Sequence, residues 1–365
     1  MKKFITVFGS VVIIAALTVF SGEAAAGAGE GLSLCARTLV PSLFPALFAS
    51  NFFALSGAAG TLGKRCSRFF EKAFGLPGEA GAAMFAAVTG GYPSGAAVTA
   101  SLYGQGIITR SQAERTALVC VCAGPGFLVG AVGAGMYNCR EVGVMLLIIM
   151  ISSVAVSGFI MRFFSKKEEK SVRIPENEES ADILTALTVS VRRASESMLN
   201  ICAYTVLAFS LGALLRCTGI SAAVSDTAML FGVRRETAQA ILPSLLEVTG
   251  GCAAAIYSGV PMTAFAAGFG GLCVHMQIFS ILENVRPSKP KFILARFFCG
   301  VYCAALSKIL LPLLPESALT ASADIGFAAA FSRNAAGSAA LIVMCLACVM
   351  CIPLPKNKKA APRRS

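Results

Sequence analysis

Charge is what this sequence lacks. Only 14% of its residues are Asp, Glu, Lys or Arg, while 56% are hydrophobic and the mean hydropathy is +0.74. A soluble domain carries about 25% charged residues, so a soluble fold is excluded and an integral membrane protein is indicated. Tryptophan is absent, which leaves the interfacial belt to Tyr, Phe and the basic residues. The one histidine, His275, excludes paired-imidazole metal sites and leaves acid–base chemistry without a second imidazole. No nucleophile–base pair, metal cluster or phosphate loop is legible, so an enzyme is the last of the readings, and no metal or cofactor is expected.

Two features that are present invite misreading. The net charge of +12 does not point to nucleic acid, because the basic residues lie in short loops between apolar runs, where they report topology. The 14 cysteines are scattered through apolar segments. Cys120 with Cys122, and Cys345, Cys348 and Cys351, have metal-like spacing but no polar surroundings, and they read as small buried hydrophobes.

The apolar runs are 4–20, 38–62, 79–107, 116–137, 141–161, 198–217, 237–258, 261–283, 297–315 and 338–354. Most approach the ~20 residues that cross a bilayer. Runs 79–107 and 237–258 are interrupted by Gly-Gly and read as re-entrant hairpins, since irregular backbone at membrane depth must be covered by protein or line a cavity. With the N-terminus cytoplasmic and the other eight runs crossing, 24 basic residues fall inside and 6 outside, with Lys308 within a span. The expected fold is an all-α polytopic membrane protein of about eight transmembrane helices plus two hairpins. Residues 1–161 form the first membrane half, 162–197 a polar cytoplasmic linker, 198–354 the second half and 355–365 a basic cytoplasmic tail. The start "MKKFITVFGSVVIIAALTVF" reads as an uncleaved first span.

Val-Thr-Gly-Gly occurs at 88–91 and again at 248–251, once in each hairpin. Each hairpin precedes a glycine-rich span, "CAGPGFLVGAVGAG" and "AAGFGGLCVHMQ". Under the charge-derived topology the hairpins enter from opposite sides, the pattern of an inverted repeat with broken helices meeting near the midplane. A half-helix ending there exposes backbone N–H groups with a partial positive charge, and glycine allows a ligand to approach the backbone. Candidate binding residues are therefore Thr89, Gly90, Gly91, Tyr92, Pro93, Ser94 and Gly95; Gly124, Pro125 and Gly126; and Thr249, Gly250 and Gly251. The plainer alternative is that Gly91 and Gly95, or Gly126 and Gly130, are only small-residue packing faces. Ionisable or polar groups at depth add Glu247, His275, Lys308, Asn51 and Gln277. Glu247 could couple a proton or cation, or bind a neutral solute. Lys308 could pair with Glu247 or a substrate carboxylate, or snorkel to the interface.

The stretches "LVPSLFPALFASNFF", "LPGEAGAAMFAAVTGGYPSGAAVTASLYGQGIITRSQAERTALVCVCAGPGFLVGAVGAGMY", "LLEVTGG" and "GFGGLCVHMQIF" resemble the YlbJ-type sporulation integral membrane proteins of the nucleoside-recognition Gate superfamily. The resemblance covers most of residues 30–285. It implies a transporter moving dipicolinic acid from mother cell to forespore across the outer forespore membrane, and a fold resembling the concentrative nucleoside transporters. The partners are then a small organic anion, dipicolinate by resemblance, and the lipid bilayer, with no nucleic acid. A co-transported ion and a homo-oligomer stay open. The alternatives are a nucleoside-type solute transporter, or a non-transporting spore-envelope assembly protein in which the glycines serve packing.

Overall fold

The computed structural model describes residues 2–56, 65, 68–163 and 182–314, and there is no strand among them. The described helices are α1 (Lys2–Val19), α2 (Ser21–Leu34), α3 (Val40–Leu55), α4 (Ala80–Gly90), α5 (Tyr92–Gly104), α6 (Arg110–Val119), α7 (Arg140–Phe163), α8 (Ile183–Cys217), α9 (Ile220–Leu230), α10 (Arg235–Leu246), α11 (Val248–Ala255), α12 (Val260–Phe269), α13 (Gly271–Ile281) and α14 (Lys289–Leu310). A π-helical turn, Cys35–Leu39, joins α2 to α3, and a second π-helical segment spans Gly126–Met136.

Five stretches among the described residues are long and apolar enough to cross a membrane: Ser21–Phe53, Arg140–Phe163, Ile183–Cys217, Val260–Ile281 and Lys289–Leu313. They correspond to the expected crossings 38–62 (displaced toward the N-terminus), 141–161, 198–217, 261–283 and 297–315. Expected spans 4–20 and 116–137 contain only shorter apolar helices, Val7–Val19 and Gly126–Met136. The expected span 338–354, the tail and Arg333 lie outside the described residues, as do Cys345, Cys348, Cys351 and linker residues 164–181. The α7 helix shows what a lipid-facing span requires: Val142, Leu146, Ile149 and Met150 are buried, while Val144, Ile148, Ile151 and Phe159 point outward.

Helix α8 has 35 residues, about 52 Å at about 1.5 Å per residue. It begins at Ile183, so residues 183–197 are helical where a polar linker was expected. Their buried face is made of Ala186, Ser190 and Ala194. Arg192 and Glu196 form an exposed ion pair at 3.9 Å on the same helix. A small-residue face also joins α2 to α8: a Cβ at Gly27 would lie 2.6 Å from the Phe209 carbonyl oxygen, and one at Gly31 would lie 3.0 Å from the Val206 Cα. Such faces let backbones approach where no hydrophobic effect drives helices together.

Both sequence hairpins are pairs of helical arms folded onto each other. In the first, α4 stops at Gly91, whose φ of 84° suits glycine, and α5 restarts with Pro93 in its first turn. A Cβ at Gly95 would lie 2.6 Å from the Ala87 Cβ; in a continuous helix these residues would be about 12 Å apart along the axis. In the second, α10 stops at Glu247, which is extended at φ −151° and ψ 138°, and α11 returns. Here Gly251 packs on Ser244, with Cβ-to-Cα room of only 2.5 Å. At the open end the Thr237 and Ser258 hydroxyls are 2.6 Å apart.

The break positions correct the sequence register. The second break falls at Glu247, not at Gly250-Gly251, so Val-Thr-Gly-Gly closes the incoming arm of one hairpin and opens the returning arm of the other. The structural counterparts are instead Gly95 and Gly251, each four residues past its break. The glycine-rich spans after the hairpins are also broken, but their two parts do not pack on each other. One is non-helical from Val121 to Gly124; the other breaks at Gly270, with φ 88°. Each therefore continues onward instead of turning back.

Basic residues that the charge count puts on one side also lie near one another. Arg110 and Arg286, both counted as cytoplasmic, are joined by a 3.2 Å hydrogen bond from the Arg110 guanidinium to the Arg286 carbonyl. Arg216 and Arg235, both counted on the opposite side, line one vestibule. The α6 helix starts with a capping box, in which the Thr109 hydroxyl accepts from the Gln112 N–H and the Gln112 side chain accepts from the Thr109 N–H.

The second hairpin gives a direct test. A straight helix would separate residues 237 and 258 by about 31 Å. Thr237→Cys with Ser258→Cys, in a cysteine-free background, should form a disulfide under mild oxidation, read as the loss of both maleimide-reactive thiols. Two thiols that stay reactive under oxidation would contradict the fold-back.

Candidate functional site

A helix that ends inside a membrane leaves carbonyl oxygens without partners. At the end of α12 three side chains from three other elements fill this need. The Tyr92 hydroxyl donates to the Ala267 carbonyl at 2.5 Å, an Arg296 guanidinium nitrogen donates to the Gly268 carbonyl, and the His275 Nε2 lies 3.0 Å from the Phe269 carbonyl oxygen. The other terminal nitrogen of Arg296 donates to the Val121 carbonyl, which is free to accept because that segment is not helical. The guanidinium also lies over the Tyr92 ring, 6.0 Å from its centroid. Arg296 is 2% exposed, and its Nε has no hydrogen-bond partner among the described residues.

The sequence pattern does not single out Arg296, because the apolar run 297–315 begins one residue after it and leaves it in the 284–296 loop. It belongs to α14, seven residues past Lys289, so the inside count of basic residues loses one and falls from 24 to 23. The signal was available: "KFILARFFCG" sets an arginine among apolar residues on both sides, an expensive placement that marks a bonded or functional residue.

The four breaks meet. A Cβ at Gly124 would lie 2.8 Å from the Gly91 nitrogen, and one at Gly271 would lie 2.9 Å from the Glu247 Cα. Between them is a cavity of about 40 Å³ bordered by Gly90, Gly91, Tyr92, Pro93, Gly124, Glu247, Thr249 and Gln277, with apolar walls from Leu47 and Phe127. A far larger vestibule, about 650 Å³, lies between α2, α8, α9, α10 and α11. Glu30, Arg216, Asp226 and Arg235 contribute charge to it, and Glu247 and Gly250 line its inner part. Glu247 thus borders both spaces. It is 5% exposed, and one carboxylate oxygen accepts from the Gly250 N–H at 2.6 Å. The α11 N-terminus, expected to greet an anion, is already capped by this chain's own carboxylate.

The remaining sequence candidates lie elsewhere. The Thr89 hydroxyl is spent on the Phe85 carbonyl at 2.9 Å, and the Asn51 amide on the Leu47 carbonyl at 2.8 Å. Ser94 sits against Gly90, and Gly95 against Ala87. Pro125 leads into the π-helical segment. Gly126 packs on α3, where a Cβ would lie 2.6 Å from the Ser42 carbonyl oxygen, and Gly251 packs on α10. His275 is 1% exposed and held edge-on between Phe269 and Phe292, so its imidazole serves the broken helix. Lys308 is exposed in the last turn of α14 and borders neither cavity; no ion pair joins it to Glu247. The cysteine pair Cys120 and Cys122 consists of buried free thiols.

Among known protein families, residues 36–167 match the Gate family, described as nucleoside recognition. That match covers the first hairpin and the break at 121–124, and stops before α8. Across a longer stretch the chain is 24% identical over 308 residues, 77% of this chain and 76% of the relative, to the sporulation integral membrane protein YlbJ of Bacillus subtilis strain 168. No solved structure matches the chain. Together with the membrane-length helices, these similarities indicate a multi-pass integral membrane protein.

The arginine clamp predicts a stability difference. Arg296→Met removes a charge-assisted partner from two carbonyls, each bond being worth about 1.5–3 kcal/mol. Arg296→Lys keeps a cation that can serve one of them. Thermal unfolding of the detergent-purified protein, monitored by dye labelling of buried cysteines, should show the midpoint falling for both, and further for Met. A wild-type midpoint in Arg296→Met would contradict the clamp.

Proposed function

We propose that this chain is a sporulation membrane transporter that moves a small organic anion, dipicolinic acid, from mother cell to forespore across the outer forespore membrane. The similarity to a sporulation integral membrane protein supports the setting. The observation that carries transport is the pairing of a 650 Å³ vestibule with a 40 Å³ cavity at the meeting of the breaks, both bordered by Glu247. The vestibule has the volume of a small-molecule site. The inner cavity has room for a few waters and not for an organic solute, which is how a path closed on one side of its midpoint would look. Two guanidinium groups, Arg216 and Arg235, border the vestibule and suit a dicarboxylate, since guanidinium binds carboxylate with two parallel hydrogen bonds. Arg216 is shared with Glu30 at 3.4 Å, so an entering anion would compete for it.

The same reading has the two hairpins entering the bilayer from opposite faces, in an eight-span inverted arrangement resembling the concentrative nucleoside transporters. Support comes from the Arg110–Arg286 contact at one end and the vestibule arginines at the other. A second reading is a nucleoside-type solute. It is favoured by one specific observation: the ionisable group bordering both spaces is a carboxylate, which accepts hydroxyls and repels anions, while Lys308 and His275 stand away from it.

Uptake into proteoliposomes separates the readings. Labelled dipicolinate should accumulate in vesicles carrying the protein, and Gly91→Val should abolish uptake, because the φ of 84° and the 3.3 Å approach to the Gly124 nitrogen leave no place for a branched side chain. Arg235→Gln should raise KM about tenfold, the loss of roughly 1.4 kcal/mol of binding. Uridine uptake without dipicolinate uptake would favour the second reading; flux of neither would leave a membrane assembly protein.

A further inference from the structure

Phe209, on α8, has a place in the molecule that the transport reading does not use. It lines the vestibule and not the inner cavity, and three glycines make the room that it fills. At Gly27 a Cβ would lie 2.6 Å from the Phe209 carbonyl oxygen, so the Phe209 backbone is seated against α2. At Gly31 a Cβ would lie 3.1 Å from the Phe209 Cβ and 3.3 Å from its Cγ. At Gly250, on α11, a Cβ would lie 3.0 Å from both Cε2 and Cζ of the ring and 3.5 Å from a Glu247 carboxylate oxygen. The ring therefore reaches from α8, past α2, to the first turn of α11, and its tip lies beside the Glu247 carboxylate. Gly27, Gly31 and Gly250 all sit inside helices without a positive φ. The backbone does not call for glycine at these positions; the phenylalanine does. No other aromatic ring packs on Phe209 among the described residues, so rotation about its side-chain bonds is the freedom left to it.

We propose that Phe209 determines the size of solute that can pass from the vestibule into the inner cavity. Glu247 is the residue of α10 and α11 that borders both spaces, and the ring lies against Gly250, whose N–H that carboxylate accepts. With the ring in this position, a solute that fits the 650 Å³ vestibule is stopped at Gly250, short of the 40 Å³ cavity. Turned away from Gly250, the ring uncovers Glu247 on the vestibule side, because the glycine has no side chain to take its place. The bulk at position 209 then sets what goes by. This deepens the transport reading and rests on it in taking the two spaces as one path.

The test reads thiol reaction on the purified full-length protein, not flux, so its failure and the failure of transport are distinguishable. Thr249, 2% exposed and on the wall of the inner cavity, supplies the reporter as Thr249→Cys in a cysteine-free background. Its reaction rate is measured with methyl methanethiosulfonate and with the bulkier benzyl methanethiosulfonate. Phe209→Ala should raise the methyl rate about tenfold and the benzyl rate by a larger factor. Phe209→Leu, which keeps an apolar filling beside Gly31, should give smaller rises in the same order. Ser153→Cys is the control, since Ser153 is also 2% exposed, on α7, and borders neither space. Its rates should be the same with Phe, Leu or Ala at position 209. Thr249→Cys rates unchanged by Phe209→Ala and Phe209→Leu would overturn the proposal. So would equal factors for the two reagents, or a matching rise at Ser153→Cys, because either means that a smaller side chain only loosens the packing.

Discussion

A helix that stops at membrane depth must find partners for its last carbonyls within the protein, because lipid offers none. The end of α12 meets this demand with Tyr92, Arg296 and His275 on three successive carbonyls. Each unsatisfied carbonyl would cost about 1–3 kcal/mol. Burying an arginine at membrane depth costs at least about 2.5 kcal/mol. Neither feature is tolerable alone, and together they cancel: the guanidinium is solvated by carbonyl dipoles at the negative end of α12, and those carbonyls are satisfied by it.

The same contacts tie the two halves of the chain together. Tyr92 and Val121 come from the first half, and Ala267, Gly268 and Arg296 from the second. The Tyr137 and Thr263 hydroxyls, 2.7 Å apart, add another such bond, and close approach of α12 to α14 is possible because a Cβ at Gly268 would sit only 2.7 Å from the Gly300 Cα. None of these bonds holds α10 or α11. The vestibule wall that carries Glu247 is therefore outside the clamp, and the glycine contacts at Gly251 and Gly271 are what seat it.

Much of this was legible from residue patterns, and the parts that were not have physical reasons. Hairpins at 79–107 and 237–258 could be read because each apolar run is too long or too interrupted for a plain span, with Gly-Gly at its middle. The positions of the breaks could not be read from Val-Thr-Gly-Gly, since Gly-Gly serves equally as a positive-φ helix stop or as ordinary helix where backbones touch. The neighbouring residues decide between these uses: Pro93 restarts a helix after Gly91, whereas Cys-Ala-Ala continues one after Gly251, and Pro243 weakens the arm before Glu247. Charge at depth was harder. Lys308 and Arg296 both sit in apolar runs near a proposed helix end, and only packing tells that one reaches the surface while the other is enclosed. His275 could not be separated from a ligand without knowing that α12 ends at Phe269, one turn away.

The central claim is that the breaks of the two halves are held as one unit through Arg296 and Tyr92. A double-mutant cycle of Tyr92→Phe and Arg296→Met on unfolding stability measures this most directly. Both residues cap the end of α12 and the guanidinium faces the ring, so the two losses should fall short of additivity by about 0.5–3 kcal/mol, the range for residues in one bonded network. Strict additivity would mean that the two side chains act independently and that the breaks are not joined there.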